Sequence, residues 1–266
     1  MLSIPRPGTS LGLLACLITL ISGIPQTHAA MPPLRLPILM FHYIEDPAQA
    51  KDRIGKELSV SPAHLAQDLD WMASHGYRSV GFAQVQSGML PLKPVMLTFD
   101  DGYEDAYVNA LPALQSRGMT GTFYIITGKV GLPGYMTWDQ IRIMQRDGME
   151  IGAHTVHHPD LSRLTPEKQK EEIGGSMDAL EKELAMPVLS IAYPSGKYDK
   201  DSLREAAREG IPYGVTTHRG IAGTGSRLEL PRLRVKDSTS MARLLEPPSP
   251  KSTGSGGLRK YAAHSS

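Results

Sequence analysis

The sequence predicts an α/β protein whose strands run mainly parallel. Short apolar, β-branched runs recur along the chain, as at residues 38–41, 95–99, 121–127 and 188–193, and segments of helical spacing separate them. Several of these runs also stop abruptly on carboxylates or imidazoles. In a parallel α/β sheet, strand ends are where ligands bind. The 266 residues suffice for one large domain with a buried core, and one domain is expected. A formal charge of +1, with no basic block ahead of the tail, leaves no footprint for nucleic acid and suits a neutral polymer better.

Residues 1–30 read as a signal peptide: Arg6 precedes an apolar run over 11–24, and Thr27-His28-Ala29 closes on a small residue. Export to the periplasm or beyond is therefore expected, with residues 31–245 as the folded domain. The single cysteine, Cys16, lies inside the run, so cleavage near Ala29 or Ala30 leaves no thiol for a disulfide. Leu13-Leu14-Ala15-Cys16 also resembles a lipoprotein cleavage site, but the apolar run continues past the cysteine to Ile24. Lipidation at Cys16 ranks second, and an uncleaved signal anchor third, since the run is short for a span of about 20 residues. Either anchor would tie the protein to the cell envelope.

After a proline-rich lead-in at 31–37, Ile38-Leu39-Met40-Phe41 reads as a buried strand ending on His42. Residues 46–59 are polar and irregular and are expected to loop over the active face. Ser61-Pro62 starts a helix with Leu65, Leu69 and Met72 on one face and Gly76 beyond its end, Trp71 serving the core. A strand is expected over 77–82. The helix expected after Tyr103 carries Pro112 within its pattern, which should kink or shorten it. Thr137 caps a helix with Trp138, Ile141 and Met144 inward; residues 165–184 form a long charged helix with Ile173, Met177, Leu180 and Leu184 as its buried stripe. A short helix over 201–210 and strands over 213–217 and 228–235 complete the domain. From Glu246 on, Pro, Ser, Gly and Lys predict a disordered tail.

Two stretches carry the chemistry. In Val95-Met96-Leu97-Thr98-Phe99-Asp100-Asp101-Gly102-Tyr103, a buried strand opens onto two adjacent carboxylates; taken alone, these could be a plain Asp-Gly turn. In Gly152-Ala153-His154-Thr155-Val156-His157-His158-Pro159, another apolar run delivers three imidazoles. Two histidines and one carboxylate form a full protein ligand set for a catalytic Zn²⁺, with a coordination position left open. The glycine-rich segment 128–134 lacks the strand, Gly-x-Gly-x-x-Gly and helix arrangement of a dinucleotide site.

Through Thr98-Phe99-Asp100-Asp101-Gly102 and His154-Thr155-x-x-His158-Pro159, residues 37–235 resemble the polysaccharide deacetylases with a NodB-homology domain, carbohydrate esterase family four. The resemblance implies a single-domain, distorted (β/α) barrel of about seven strands. It implies Asp100 as catalytic base and Asp101, His154 and His158 as ligands of a divalent metal, Zn²⁺ with Co²⁺ or Ni²⁺ as alternatives; His157 has no role in the pattern. In the biofilm branch of the family, which acts on poly-N-acetylglucosamine, a permuted N-terminal strand motif supplies the general-acid histidine. Leu39-Met40-Phe41-His42 is similar to it, and no histidine follows the last strands before His264. Tyr193-Pro194-Ser195-Gly196 resembles the third family motif, which lines the groove, and the backbone near Tyr193 is implied as an oxyanion donor. Many members carry an arginine two residues before that proline, paired with the base; here Ala192 stands there. Arg232 or Arg234 could pair with an active-site carboxylate, but a surface salt bridge is the expectation. Tyr103 and Trp138 complete the expected sugar-contacting set.

The implied activity is hydrolysis of N-acetyl groups from an N-acetylglucosamine polymer, exported poly-N-acetylglucosamine first and peptidoglycan or chitin-type glycans next. Two competitors belong to other classes. A non-catalytic carbohydrate-binding protein on the same fold is disfavoured by the complete Asp100, Asp101, His154 and His158 set. A phosphotransferase with an aspartyl nucleophile is disfavoured by the adjacent carboxylates, which replace its Asp-x-Asp spacing.

Overall fold

The computed structural model describes residues 35–50 and 52–246. The signal peptide expected over 1–30, with Cys16, and the tail beyond Glu246 lie outside the described residues. In chain order the elements are β1 (Ile38–Phe41), α1 (Arg53–Leu58), α2 (Pro62–Ser74), β2 (Arg78–Ser79), α3 (Phe82–Ser87), β3 (Pro94–Phe99), α4 (Leu111–Gln115), β4 (Thr122–Ile125), α5 (Trp138–Arg146), β5 (Glu150–Ala153), α6 (Pro166–Leu184), β6 (Ser190–Ala192), α7 (Lys200–Arg208), β7 (Tyr213–Arg219), β8 (Leu230–Arg234) and α8 (Met241–Leu245). β1 pairs with both β3 and β8, and the remaining strands follow in order between them, so seven strands close into a barrel. Every pairing between these strands is parallel. This is the (β/α) barrel the motifs imply, and β2 pairs only with Pro94 and Val95 at the start of β3.

Strand alternation sorts the side chains into two cores. Ile38, Met96, Tyr124, Ala192, Val215 and Leu230 fill the barrel interior. Leu39, Phe41, Leu97, Phe99, Phe123 and Leu233 face the helices. Phe41, Phe99 and Phe123 sit in register on β1, β3 and β4 and stack with ring centroids 5.1 and 4.6 Å apart. Each such pair adds about 0.5–1.5 kcal/mol beyond the area it buries. The stack fixes the strand ends from which His42 and Asp100 emerge.

The helices form where caps and apolar stripes coincide. Ser61 Oγ accepts from the His64 N–H at the start of α2, whose Leu65, Leu69 and Met72 are fully buried. Thr137 and Gln140 form a reciprocal capping box on α5, and Thr165 caps α6, whose buried face includes Ile173, Met177, Leu180 and Leu184. Pro112 has the predicted effect: a wide π-type turn over Ala106–Ala110 precedes α4, which places the proline in its first turn. That turn is anchored to the first strand's loop, since Asn109 Nδ2 donates to the Ile44 carbonyl at 2.7 Å.

The strand expected over 77–82 shrinks to Arg78–Ser79, and Phe82 begins α3 instead. The cause is local: the Gly81 N–H donates to the Gln84 side chain at 2.8 Å and the Phe82 N–H to Glu150 at 2.6 Å, which starts a helix. The expected loop over 46–59 does cross the active face. It is more ordered than its composition suggests, because Asp52 caps α1 through the Gly55 N–H at 2.7 Å.

Candidate active site

The C-terminal ends of β1, β3 and β5 deliver His42, Asp100, Asp101 and His154 to one cavity of about 360 Å³, joined by His158 from the loop after β5. Ile54, Glu57 and Leu58 of α1 wall it on one side, Ser195, Thr217 and Arg234 on the other. The two motifs, more than fifty positions apart in sequence, thus meet because β3, β4 and β5 are neighbours in the barrel.

Asp101, His154 and His158 each offer one ligand atom, all within 4.8 Å of one another. His154 Nε2 lies 3.3 Å and His158 Nε2 3.6 Å from Asp101 Oδ1. His154 Nδ1 is 2.6 Å from the Ala192 carbonyl, and a carbonyl can only accept, so Nδ1 carries the hydrogen and Nε2 keeps its lone pair for a cation. Burial pushes the Asp101 carboxyl up, but the hydrogen bond to His154 and the imidazoles around it prevail and hold it well below the usual range. Burial lowers His154 less than the Asp101 hydrogen bond and the two carboxylates raise it; His158 is lowered by burial and by His154. With Nε2 of both imidazoles deprotonated, the set offers a cation one anionic oxygen and two nitrogen donors, which is the donor chemistry of a Zn²⁺-type site.

The backbone is strained where these groups sit. Asp101 (φ 74°), Thr155 (φ 63°), His158 (φ 63°) and Ser195 (φ 52°) all occupy the left-handed region. Each such residue costs about 1 kcal/mol or more and persists only where its surroundings fix it, a pattern typical of functional sites. Gly102 (φ 77°) completes the turn after Asp101, packed against Ile125. Gly196 (φ 67°) follows Ser195, and a Cβ there would overlap the Thr217 side chain.

Asp100 is held from an unexpected direction. Arg232 Nη1 donates to its Oδ1 and Nη2 to its Oδ2, both at 2.7 Å. The same guanidinium donates from Nη1 to Thr98 Oγ1 at 3.0 Å and from Nε to the Thr216 carbonyl at 2.9 Å, and it lies 5.8 Å from the Tyr124 ring centroid. Arg232 is 1% exposed, so the surface salt bridge expected from the sequence is replaced by a buried, bidentate pair inside the barrel. Ala192 faces the same interior, and the arginine comes from β8 rather than from β6. Burial pushes the Asp100 carboxyl up; the Arg232 charge and its hydrogen bonds outweigh this and keep it below the ordinary 3.8. His42 Nε2 is 3.8 Å from Asp100 Oδ2. Burial lowers the His42 pKa, against the pull of Asp100 and Asp101 and helped by Arg232 and Arg234.

The residues expected to touch sugar divide. Tyr193 and Pro194 are buried and do not line the cavity; the Tyr193 N–H donates to the Val215 carbonyl at 3.2 Å, which removes it as an oxyanion donor. Ser195 is the member of that motif on the cavity wall. Trp138 packs half-buried against the core and lines neither this cavity nor its neighbour. Tyr103 lines a second cavity alongside, and its hydroxyl shares a 2.7 Å hydrogen bond with Tyr43. His157 is exposed and pairs with Glu172 at 2.8 Å, away from the cluster.

Comparison with known proteins agrees with this geometry. A family model described as polysaccharide deacetylase matches residues 88–214. YxkH of Bacillus subtilis (strain 168), a protein named for the same family, is 31% identical over 214 residues, covering 78% of this chain and 74% of that one. A poly-β-1,6-N-acetyl-D-glucosamine N-deacetylase of Staphylococcus aureus (strain MRSA252) is 26% identical over 201 residues, or 68% of this chain and 69% of that one. Among solved structures, the Streptococcus pyogenes deacetylase PplD, in complex with acetate, superposes with a TM-score of 0.75 at 35% identity, covering 82% of this chain and all of that one. With the barrel, the Asp-Asp and His-x-x-x-His strand ends and these relatives in agreement, the chain belongs to the polysaccharide deacetylase family.

Proposed function

We propose that this protein is a divalent-metal-dependent N-deacetylase of an exported N-acetylglucosamine polymer, with poly-β-1,6-N-acetylglucosamine as the favoured substrate. The observation that carries the reading is the convergence of an Asp101–His154–His158 ligand set with a buried, arginine-held Asp100 and His42 in one cavity. A Zn²⁺, Co²⁺ or Ni²⁺ ion held by those three ligands would polarise the acetamide carbonyl and acidify water, from a pKa of about 15.7 towards about 7 in well-studied zinc sites.

The chain's own groups account for the protons. Arg232 keeps Asp100 ionised, so the carboxylate is ready to accept a proton from the attacking water. Each Asp100 oxygen retains a lone pair beyond the one that Arg232 occupies. His42, 3.8 Å from Asp100 across the cavity, is placed to act in its protonated form as the general acid that delivers a proton to the departing nitrogen. The amide C–N bond breaks as the water oxygen bonds to carbon, giving acetate and a glucosamine amine. Ser195, on its strained turn at the cavity wall, takes the place of Tyr193 as donor to the developing oxyanion.

The preference for the biofilm polymer rests on His42, which comes from the N-terminal strand, and on Ala192 at the position where many members carry arginine. The named activity of the Staphylococcus aureus relative supports it. We also assign residues 31–245 to one deacetylase domain and residues 1–30 to an export signal, which suits a substrate outside the cytoplasm. Among the described residues, no helix is long and apolar enough to cross a membrane. The substrate reading is tested by acetate release from matched β-1,6- and β-1,4-linked N-acetylglucosamine oligomers and from peptidoglycan fragments. Turnover of the β-1,6 oligomers at least about tenfold above the others, a difference of roughly 1.4 kcal/mol in the barrier, is expected. Faster release from β-1,4 oligomers or muropeptides would assign the enzyme to those glycans.

A further inference from the structure

The cavity beside the active site plays no part in the chemistry above. It encloses about 730 Å³ and shares Ile54 and Leu58 of α1 as walls with the His42–Asp100 cavity. That volume suits one or two sugar rings. One side is aromatic: Tyr43 and Tyr103 stack at 4.0 Å between centroids, and Tyr103 meets Tyr135 at 5.1 Å. Four carboxylates, Glu45, Asp52, Glu104 and Asp105, also line it, and no described lysine or arginine does.

Each carboxylate is positioned by the fold. Glu45 accepts from the Ser59 hydroxyl at 3.3 Å, Asp52 from the Gly55 N–H at 2.7 Å, Glu104 from Gln140 Nε2 at 3.1 Å and Asp105 Oδ2 from the Ile44 N–H at 3.1 Å. The donors to Glu45, Asp52 and Glu104 are neutral, so the negative charge of these three stays available to a ligand, whereas burial pushes the Asp105 carboxyl up to about 7. Asp105 Oδ1, shielded from solvent, has no hydrogen-bond partner.

Stacked tyrosines flanked by carboxylates complement an amino sugar. The pyranose face packs on a ring, and an ammonium group finds opposite charge; an acetamido sugar brings no charge to pair. We infer that this cavity is a subsite for a glucosamine unit bearing a free ammonium, next to the sugar whose acetyl group is removed. The inference rests on the deacetylase reading of the neighbouring site. Its consequence is a pattern: the product of one turnover becomes the preferred neighbour for the next, so acetyl groups leave in runs.

The test compares binding of a fully deacetylated β-1,6-glucosamine tetramer with its fully N-acetylated counterpart, by titration calorimetry on the full zinc-loaded chain. Exposed ion pairs contribute about a factor of two each, so the amine tetramer should bind roughly tenfold tighter at low salt. The advantage should disappear near 0.5 M salt, where the screening length falls to about 4 Å. It should also disappear in Glu45→Gln/Asp52→Asn, and shrink in Glu104→Gln, whose side chain is exposed. Equal affinity for the two tetramers, or an amine preference untouched by these substitutions, overturns the subsite. Acetate release from the N-acetylated tetramer is read in parallel. An amine preference without release retains the subsite and rejects the reaction; release without the preference does the reverse.

Discussion

Asp100→Asn is expected to lower kcat for acetyl removal by about 10²–10⁴-fold while the protein still binds its metal. The change is nearly isosteric, but the amide nitrogen cannot accept from Arg232 and the guanidinium loses its counter-charge, so a denaturant melt read beside kcat separates proton acceptance from lost stability. Asp101, His154 and His158 carry the metal-ligand atoms and are untouched. Metal content measured beside acetate release therefore separates the roles of the two adjacent aspartates. Activity within tenfold of the unsubstituted enzyme would remove Asp100 as the base.

Arg232→Met should destabilise the fold by about 3–5 kcal/mol, because it strands the Asp100 carboxylate in the barrel without its counter-charge. The exposed pair Arg53–Glu57, by comparison, should matter by no more than about 0.5 kcal/mol. The pH dependence has a defined sign. The folded pKa of Asp100 lies below its ordinary 3.8, so the pair's stabilisation is fully present above that value and fades as pH falls through the folded pKa. The stability cost of Arg232→Met should thus be largest near neutral pH and narrow as pH falls towards the folded pKa of Asp100, where the carboxyl is protonated in parent and variant alike. Combining it with Asp100→Asn, which removes both charges, should recover part of the lost stability in denaturant melts. Strict additivity of the two changes would contradict the direct pairing.

Much of this site was legible in the chain. A β-branched run ending on Asp100-Asp101 and another ending on His154 state their position at strand ends, and parallel pairing brings such ends together. His42 was found in the same way, as the residue just past a four-residue buried strand. In the sequence Arg232 is one possible partner of an active-site carboxylate but ranks below a surface salt bridge, because its partner is 132 positions away and no local pattern records that contact. A signal was present nonetheless: in Leu230-Pro231-Arg232-Leu233-Arg234, alternation puts Leu230 and Arg232 on one face. An arginine on the interior face of a buried strand requires a buried carboxylate, and Asp100 was already the leading candidate.

Tyr193 and Trp138 failed for the opposite reason. Aromatic residues beside a site resemble sugar platforms in sequence, yet Tyr193 stacks on Tyr198 at 4.6 Å and is sealed in, while Trp138 packs on the helical core. Tyr103 reaches the adjoining cavity because the turn at Asp101-Gly102 swings it towards Tyr43. The strand expected over 77–82 failed where Gln84 and Glu150, neither part of that segment, completed a helix start at Gly81 and Phe82.

The most direct test of the central claim is acetate release from β-1,6-linked N-acetylglucosamine oligomers after the protein is stripped by a chelator and then resupplied with Zn²⁺. The geometry predicts release that is lost on stripping and restored by the ion in the parent chain, and that is not restored in His154→Ala. Release that survives complete chelation, or returns with Zn²⁺ in His154→Ala, would contradict an Asp101–His154–His158 metal centre as the seat of the reaction.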